Sequence, residues 1–526
     1  MDSAVMRLSE LTSALPSGSL PPGIDREITG VAYDSRRIKP GNIFVACPGE
    51  KSDGQAFIPQ AISAGAAAVV GEREQPGLTV PYIRVADARL ALGLISAAWF
   101  GFPSRRMVMI GVTGTDGKTT TVNLIYSILQ KAGIRAGMIG TVGAVIDGLE
   151  MDTGFHVTTP DSTALQGYLA QMADAGLTHC VLEVTSHGLA QQRVAGCDFD
   201  VAALTNITRE HLDYHGTFEA YRAVKAGLFT GLGSAPAKPF FAARMAVLNA
   251  DDPSFEYLHA QVKVPIVAYG RRQPADFTAE DVRADVDGIH LTVRTPDGMC
   301  PVECPLTGVY NVENILAAMT VTVAALEVDL QTAAEAVASL PGVPGRGEKI
   351  DLGQEFLAIV DFAHTPNALR AALEAARALK GKGGRVIAVF GSAGLRDREK
   401  RRELAATGVD LADLTVLTAE DPRSESLSSI LEEMAAGARS RGGVEGKTFF
   451  RIPDRGAALR FAVQSARKED VVIACGKGHE QSMCFGEVEY PWDDRRALRA
   501  ALAGRLGVPG PVMPVLPTSN GMKEEI

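Results

Sequence analysis

A chain of 526 residues is too long for one hydrophobic core and implies about three domains. Apolar residues make up 46% and charged residues 22%, an ordinary globular balance, and a net charge of -10 gives no general attraction for nucleic acid or anionic lipid. No run of about 18 apolar residues suggests a membrane span, and the N-terminus, MDSAVMRLSELTSAL, lacks the basic start and apolar core of a secretion signal.

The first domain is expected over residues 1–104 as a small α/β unit. Val31 to Ser35, Ile43 to Ala46 and Ala67 to Val70 read as short strands, with a helix over Gln55 to Gly65. Asp34-Ser35-Arg36-Arg37 is a polar cluster that, taken alone, reads as a solvated turn. Pro103 and Ser104 read as a linker. The seven Cys are scattered. Only Cys300 and Cys304 are close, and no second pair completes a zinc site, so reduced thiols in a cytoplasm are the simplest reading.

The second domain, residues 105–340, opens on the most informative stretch, Gly111 to Thr121 (GVTGTDGKTTT). The apolar run Met107 to Val112 predicts a buried strand, and Val122 to Ala132 has apolar residues at helical spacing. A Gly-rich turn between strand and helix points backbone N–H groups and the positive end of the helix at an anion. Lys118 adds a mobile cation for a triphosphate and Thr119 a hydroxyl that can bind Mg²⁺. The usual phosphate-loop spacing fails by one detail: Val112 stands where the first Gly belongs, and the loop reads G-T-x-G-K-T from Gly114 to Thr119. Two further strands follow, Cys180 to Val184 and Val201 to Ile207. The first carries Glu183, a carboxylate that is costly in an apolar strand unless paired or bound to metal. The second leads into His211. Ligands gather at the carboxyl ends of parallel strands, so the phosphate loop, Glu183 and His211 are candidates to share one Mg²⁺-ATP site.

Leu340 to Gly347 is dense in Pro and Gly and marks the next boundary; its Arg346 is either a linker charge or a cation that reaches the nucleotide. The third domain, residues 341–505, reads as a doubly wound, Rossmann-like α/β unit. Its strands are Phe356 to Asp361, Val386 to Phe390, Asp413 to Leu417 and Val471 to Ala474. Residues 506–526, with four Pro after Gly507, are expected to be a mobile tail.

Taken together, from about Val31 to Asp494, these motifs resemble the Mur ligases of peptidoglycan synthesis, and among them the branch that adds the third amino acid to UDP-N-acetylmuramoyl-L-alanyl-D-glutamate. The resemblance implies three domains: a small N-terminal α/β domain that binds UDP, a central domain with an ATPase-like phosphate loop and parallel sheet, and a C-terminal α/β domain that binds the amino acid. It makes Gly114 to Thr119 the family's form of phosphate loop, with Thr120 beside it, and Asn314, Arg346, Asp361 and the His364-Thr365-Pro366-Asn367 stretch nucleotide contacts. It places the sugar nucleotide at Ser35, in Asp34-Ser35-Arg36, and along Gly49 to Gly54. It places the dipeptide at Thr158, Thr159, Thr185, Gln191 and Arg193. Lys118, His211 and Lys225 become catalytic residues, and Thr119, Glu183, His211 and a carbamylated Lys225 hold Mg²⁺. The residues alone leave Lys225 as an unmodified surface Lys.

For the incoming amino acid the resemblance points to Arg396, Glu420, Asp421, Pro422, Arg423, Gly476 and Glu480. The diaminopimelate enzymes carry Asp-Asn-Pro-Arg where this chain has Glu420-Asp421-Pro422-Arg423. Arg423 suits a distal carboxylate bidentately and favours meso-diaminopimelate. Asp421 suits instead the ammonium of L-lysine or L-ornithine, or simply pairs with Arg423. A folylpolyglutamate or cyanophycin synthetase, a motion-coupled NTPase and a catalytically dead binding module are the competing classes. A cytoplasmic monomer acting on small molecules, closing its domains on ATP, is the expectation.

Overall fold

The computed structural model describes residues 5–16, 24–49, 53–151, 153–154, 158–241, 244–396 and 398–520. Of the stretches singled out above, residues 1–4, Glu50 to Ser52, Asp397 and residues 521–526 lie outside the described residues.

Four parallel strands form the N-terminal sheet, in the spatial order Gly30–Ala32, Asn42–Val45, Ala68–Gly71 and Tyr82–Arg84. Successive residues face opposite sides. Ile43 and Val45 pack on the helix Ala88–Trp99, while Phe44 packs on the helix Ile58–Ser63. The helix expected from Gln55 begins instead with a 3₁₀ turn, Gly54–Phe57, because Asp53 caps the N–H of Gln55 and Pro59 starts the α-helix proper. Pro103 and Ser104 correct another expectation. They lie in a buried 3₁₀ turn, with Ser104 donating to the Gly196 carbonyl, rather than in an open linker.

Among the described residues the central sheet has eleven strands. Its middle is parallel: Ala136–Gly140, His179–Glu183, Val108–Thr113, Val201–Leu204, Met245–Asn249, Ile266–Gly270 and Phe277–Ala284. Both faces of the first five of these strands are buried, against separate cores, which is why Val108–Thr113, His179–Glu183 and Val201–Leu204 read as continuous apolar runs. Ile289–Thr295 and Gly298–Cys304 extend the sheet antiparallel, a feature absent from the sequence reading. Cys300 and Cys304 alternate inward there with Val302. Register does the functional positioning. Glu183 pairs with Val112 and Leu204 with Thr113, so three strands end at one level beneath the phosphate loop.

The C-terminal sheet runs Glu348–Lys349, Leu357–Asp361, Val471–Cys475, Val386–Phe390, Leu414–Leu417 and Phe449–Arg451, parallel except for its first short strand. Its carboxyl ends also align, since Asp361 pairs with Cys475 and Phe390 with Leu417. A hairpin, Ser482–Phe485 with Val488–Pro491, lies beside this edge. The segment 508–520, expected to belong to a mobile tail, is anchored near its end, although Val508, Val512 and Val515 are exposed: Leu516 is 2% exposed in the core of this unit, and the Thr518 and Ser519 hydroxyls donate to the Asp454 carboxylate at 2.9 and 2.7 Å.

Candidate active site

The phosphate loop is held open by its own backbone. Gly114 and Gly117 both have positive φ, +154° and +82°. A Cβ at Gly114 would stand 1.8 Å from the Thr205 hydroxyl, and one at Gly117 would stand 2.2 Å from Asn314 Oδ1, so only Gly fits at either position. The helix Lys118–Lys131 then starts with no side-chain cap, leaving its first N–H groups for an anion. The next strand end clamps the loop from outside: Thr115 N donates to the Asn206 carbonyl at 2.7 Å and Asp116 N to Asn206 Oδ1 at 3.0 Å. Lys118 Nζ donates to the Thr115 carbonyl at 2.8 Å, folded over the loop it belongs to. Burial raises the Asp116 pKa above the ordinary carboxylate value, with Lys118 and Arg346 opposing it. Thr120 is buried beside the loop.

Glu183 is 2% exposed, and three groups satisfy its carboxylate. Thr119 Oγ1 donates to Oε1 at 3.1 Å, while Thr141 donates to Oε2 through its N–H at 3.0 Å and its hydroxyl at 2.8 Å. The sequence reading missed Thr141. It follows the strand Ala136–Gly140, so the strand-end rule that found Glu183 would have found it. Arg346 Nη2 donates to Thr119 Oγ1 at 3.0 Å while its guanidinium stacks 4.1 Å from the Phe362 ring centre. The linker cation thus reaches the phosphate loop. Asp361 accepts from the N–H groups of Gly347 and Ala363, and Asn314 sits against Gly117.

His211 has φ +53°, a left-handed conformation uncommon outside Gly and Asn, which aims its ring into a cluster with His187 at 4.7 Å. Burial, then the neighbouring His187, pushes its pKa down to about 2, so the ring is neutral with a nitrogen lone pair to offer. Lys225 is 1% exposed. Its amine donates to the Gly114 carbonyl at 2.7 Å and lies 4.7 Å from the Tyr221 ring centre. Burial and then Lys118 hold its pKa well below that of an ordinary Lys. The surface-Lys alternative therefore fails: this amine is buried and tends to the neutral form.

Thr159 ties the adjoining strand end together, its hydroxyl donating to the Glu183 carbonyl at 3.0 Å and accepting from Thr185 N at 3.0 Å. Arg193 donates to the Thr159 carbonyl at 2.8 Å and through two nitrogens to Gln191 Oε1. Thr158 stands 3.1 Å from Thr141. These five residues form one lattice around Glu183. Ser35 does not join it; its hydroxyl donates to Gln60 within the N-terminal sheet domain.

A second group lies at the carboxyl ends of the C-terminal sheet. Asp421 and Arg423 both have positive φ, +39° and +54°, and Pro422 between them is buried. Strained backbone of this kind collects at functional sites. Asp421 does not pair with Arg423. Its two oxygens each accept from Lys477 Nζ at 3.0 Å, and Oδ1 also accepts from Cys484 N at 2.9 Å. Lys477 is 0% exposed and also bridges to Glu480. Arg423 is braced by its backbone, its N–H donating to the Cys484 carbonyl at 3.1 Å, while its guanidinium makes no hydrogen bond or ion pair among the described residues. Gly476, φ +106°, leaves room for Glu420, whose Oε2 would lie 2.1 Å from a Cβ there. Burial pushes the Glu420 pKa up to about 7, against Arg455 and Lys477. Arg396 is exposed and close enough to His187 to lower its pKa.

Models of three Mur ligase units match the chain in order: the "Mur ligase family, catalytic domain" over residues 27–100, the "Mur ligase middle domain" over 112–322 and the "Mur ligase, glutamate ligase domain" over 345–478. This chain belongs to the Mur ligase family. A UDP-N-acetylmuramyl-tripeptide synthetase of Roseiflexus sp. (strain RS-1) is 44% identical over 508 residues, 95% of this chain and 99% of that protein. A UDP-N-acetylmuramoyl-L-alanyl-D-glutamate--2,6-diaminopimelate ligase of Geobacillus thermodenitrificans (strain NG80-2) is 41% identical over 95% of this chain and 100% of its own length. A solved diaminopimelate ligase of the same name superposes with a TM-score of 0.65 at 30% identity, covering 96% of this chain and 100% of that one. This Mur ligase is thus an ATP-dependent ligase with a three-domain α/β architecture. Among the described residues no helix is long and apolar enough to cross a membrane.

Proposed function

We infer that this Mur ligase joins meso-diaminopimelate to UDP-N-acetylmuramoyl-L-alanyl-D-glutamate in an ATP-dependent, cytoplasmic step of peptidoglycan precursor synthesis, acting as a monomer on small molecules. The observation that carries the acceptor is the engagement of Asp421 by Lys477, which leaves Arg423 as the available charge. A free guanidinium suits the distal carboxylate of diaminopimelate; lysine and ornithine have no such group.

The dipeptide's terminal D-glutamate carboxylate attacks the γ-phosphorus of ATP, forming an acyl phosphate as the bond to ADP breaks. The acceptor amine then attacks the acyl carbon, and phosphate leaves through a tetrahedral intermediate. Two anions must meet in the first step. Lys118 and the open N-terminus of the helix Lys118–Lys131 neutralise charge at the phosphates, and Arg346 adds a cation from the domain boundary. Thr159, Gln191 and Arg193 hold the dipeptide side, Ser35 the sugar nucleotide, and Asn314 and Asp361 the nucleoside. Gly476, Glu420 and Glu480 line the acceptor side, with Arg396 at its outer edge.

Mg²⁺ fits this donor set. Thr119 and Glu183 present hard oxygens side by side. Among the described residues no three His, Cys, Asp or Glu side chains cluster as a self-sufficient metal site, as suits a cation shared with nucleotide phosphates. Bound there, Mg²⁺ supplies charge neutralisation at the transferring phosphoryl group. His211 and Lys225 are a second donor pair once Lys225 is carbamylated. An unprotonated amine is the form that adds CO₂, and the burial of Lys225 supports that state.

The test is product formation with ATP, the UDP-muramoyl dipeptide and meso-diaminopimelate. One phosphate released per tripeptide made is expected. Phosphate release that continues without the acceptor, or none with it, overturns the reading.

A further inference from the structure

The acceptor site contains a fully buried cation that no motif singled out. Lys477 sits between Gly476 and Gly478, beyond the strand Val471–Cys475, and meets two carboxylates from different directions. Asp421 comes from the loop after Leu414–Leu417, 56 positions away in sequence, and offers both oxygens at 3.0 Å. Glu480 comes from one turn further along its own segment. The peptide of Cys484 links the same loop twice: its N–H donates to Asp421 Oδ1 and its carbonyl accepts from Arg423 N. Asp421 is thereby turned inward and Arg423 held on the same short support. An unpaired carboxylate in this place would attract a distal ammonium and oppose a distal carboxylate. Tied to Lys477, it does neither.

We propose that Lys477 is a positioning residue that sets acceptor specificity: it withdraws Asp421 from the incoming amino acid and so leaves Arg423 to read a distal carboxylate. The proposal rests on the reading that this site binds a diamino acid. It also says why an Asp can stand in this loop in an enzyme for diaminopimelate.

The experiment compares wild type, D421N, K477M and the double variant D421N/K477M at saturating ATP and UDP-muramoyl dipeptide. Diaminopimelate and L-lysine are titrated separately, and folding is checked by thermal melting. K477M is expected to raise KM for diaminopimelate about tenfold with little change in kcat, and to admit L-lysine, because Asp421 is set free. D421N/K477M is expected to recover most of that loss. D421N alone removes a charge that Lys477 already neutralises and is expected to leave KM for diaminopimelate within about twofold of wild type. If K477M fails to fold, D421N decides: a KM for diaminopimelate within about twofold of wild type supports the proposal, and a KM raised several-fold overturns it, since an Asp that touches the acceptor would be missed. A folded K477M with unaltered acceptor preference also overturns it. Wild type that releases no phosphate with diaminopimelate overturns instead the assigned activity.

Discussion

The central and C-terminal sheets each bury a lysine at their carboxyl ends, and the two lysines are in opposite states. Lys225 has no ion-paired carboxylate among the described residues; it donates to a backbone carbonyl, and burial drives its pKa well down. Lys477 is as deeply buried, yet Glu480 and Asp421 outweigh the burial and raise its pKa above the ordinary value. Burial alone therefore does not fix the charge of a lysine; the partner carboxylates do. The first lysine is biased toward the neutral amine that the proposed carbamylation requires, and the second toward a charged counter-ion for its two carboxylates. On the proposed function the two poles differ accordingly, one gathering phosphate, the other sorting amino acids by their far end.

The largest effect that would break this contrast is on turnover. Lys225→Arg keeps a cation but, as a guanidinium, stays protonated and cannot take up CO₂. It is expected to lower kcat by more than about 100-fold, read by phosphate release, with labelled bicarbonate giving a carbamate signal in wild type alone. Full activity in Lys225→Arg would remove the distinction between the two lysines.

Lys477→Met comes next, this time in stability. Removing the cation leaves the buried Asp421 and the half-buried Glu480 without it, expected to cost about 3–5 kcal/mol in denaturant melts. Glu420→Gln sharpens the same pole. The Glu420 pKa, raised from 4.5 to about 7 in the fold, means that its favourable contribution is complete below about pH 4.5 and is lost as pH rises through 7. Glu420 Oε2 also lacks a hydrogen-bond partner among the described residues. Glu420→Gln is thus expected to stabilise the protein at pH 8, by up to about 3 kcal/mol, and to do little at pH 4.5.

Lys225→Met tests the sign at the other pole. Because the folded state binds fewer protons at Lys225 than the unfolded state, stability rises with pH between the lowered folded value and the ordinary one. In bicarbonate-free buffer, wild type should gain about 1 kcal/mol per pH unit over Lys225→Met between pH 8 and 9. Parallel curves would mean that Lys225 is charged. The smallest effect belongs to Lys400, which bridges to Glu210 at 3.5 Å across the central and C-terminal domains. Lys400→Met should cost under about 1 kcal/mol and shift the ligand-free scattering curve toward a more open shape; an unchanged curve would mean the contact does not hold the domains together.

Much of this site was legible because its signals are local. An apolar run followed by a Gly-rich turn located Gly114 to Thr119, and the same logic placed Glu183 and Asp361 at strand ends that the structure aligns by register, with His211 beyond another such end. What the sequence hid is what depends on distant partners. Asp421 was left between reading an ammonium and pairing with Arg423 because its partner, Lys477, is 56 positions away. Lys225 read as exposed because nothing near it in sequence reports the backbone of Gly114, 111 positions earlier. The tail read as mobile from its prolines, yet Leu516, Thr518 and Ser519 find partners on an already folded surface. The strands Ile289–Thr295 and Gly298–Cys304 do alternate apolar and polar residues, and that pattern was available.

The measurement that tests the central claim most directly is a side-by-side acceptor assay. The wild-type chain, ATP and UDP-N-acetylmuramoyl-L-alanyl-D-glutamate would be given meso-diaminopimelate, L-lysine or L-ornithine separately, with phosphate release as the signal. Release with diaminopimelate alone is expected if Asp421 is silenced and Arg423 reads the distal carboxylate. Comparable release with lysine or ornithine would contradict it, because Asp421 would then be reading an ammonium in spite of Lys477.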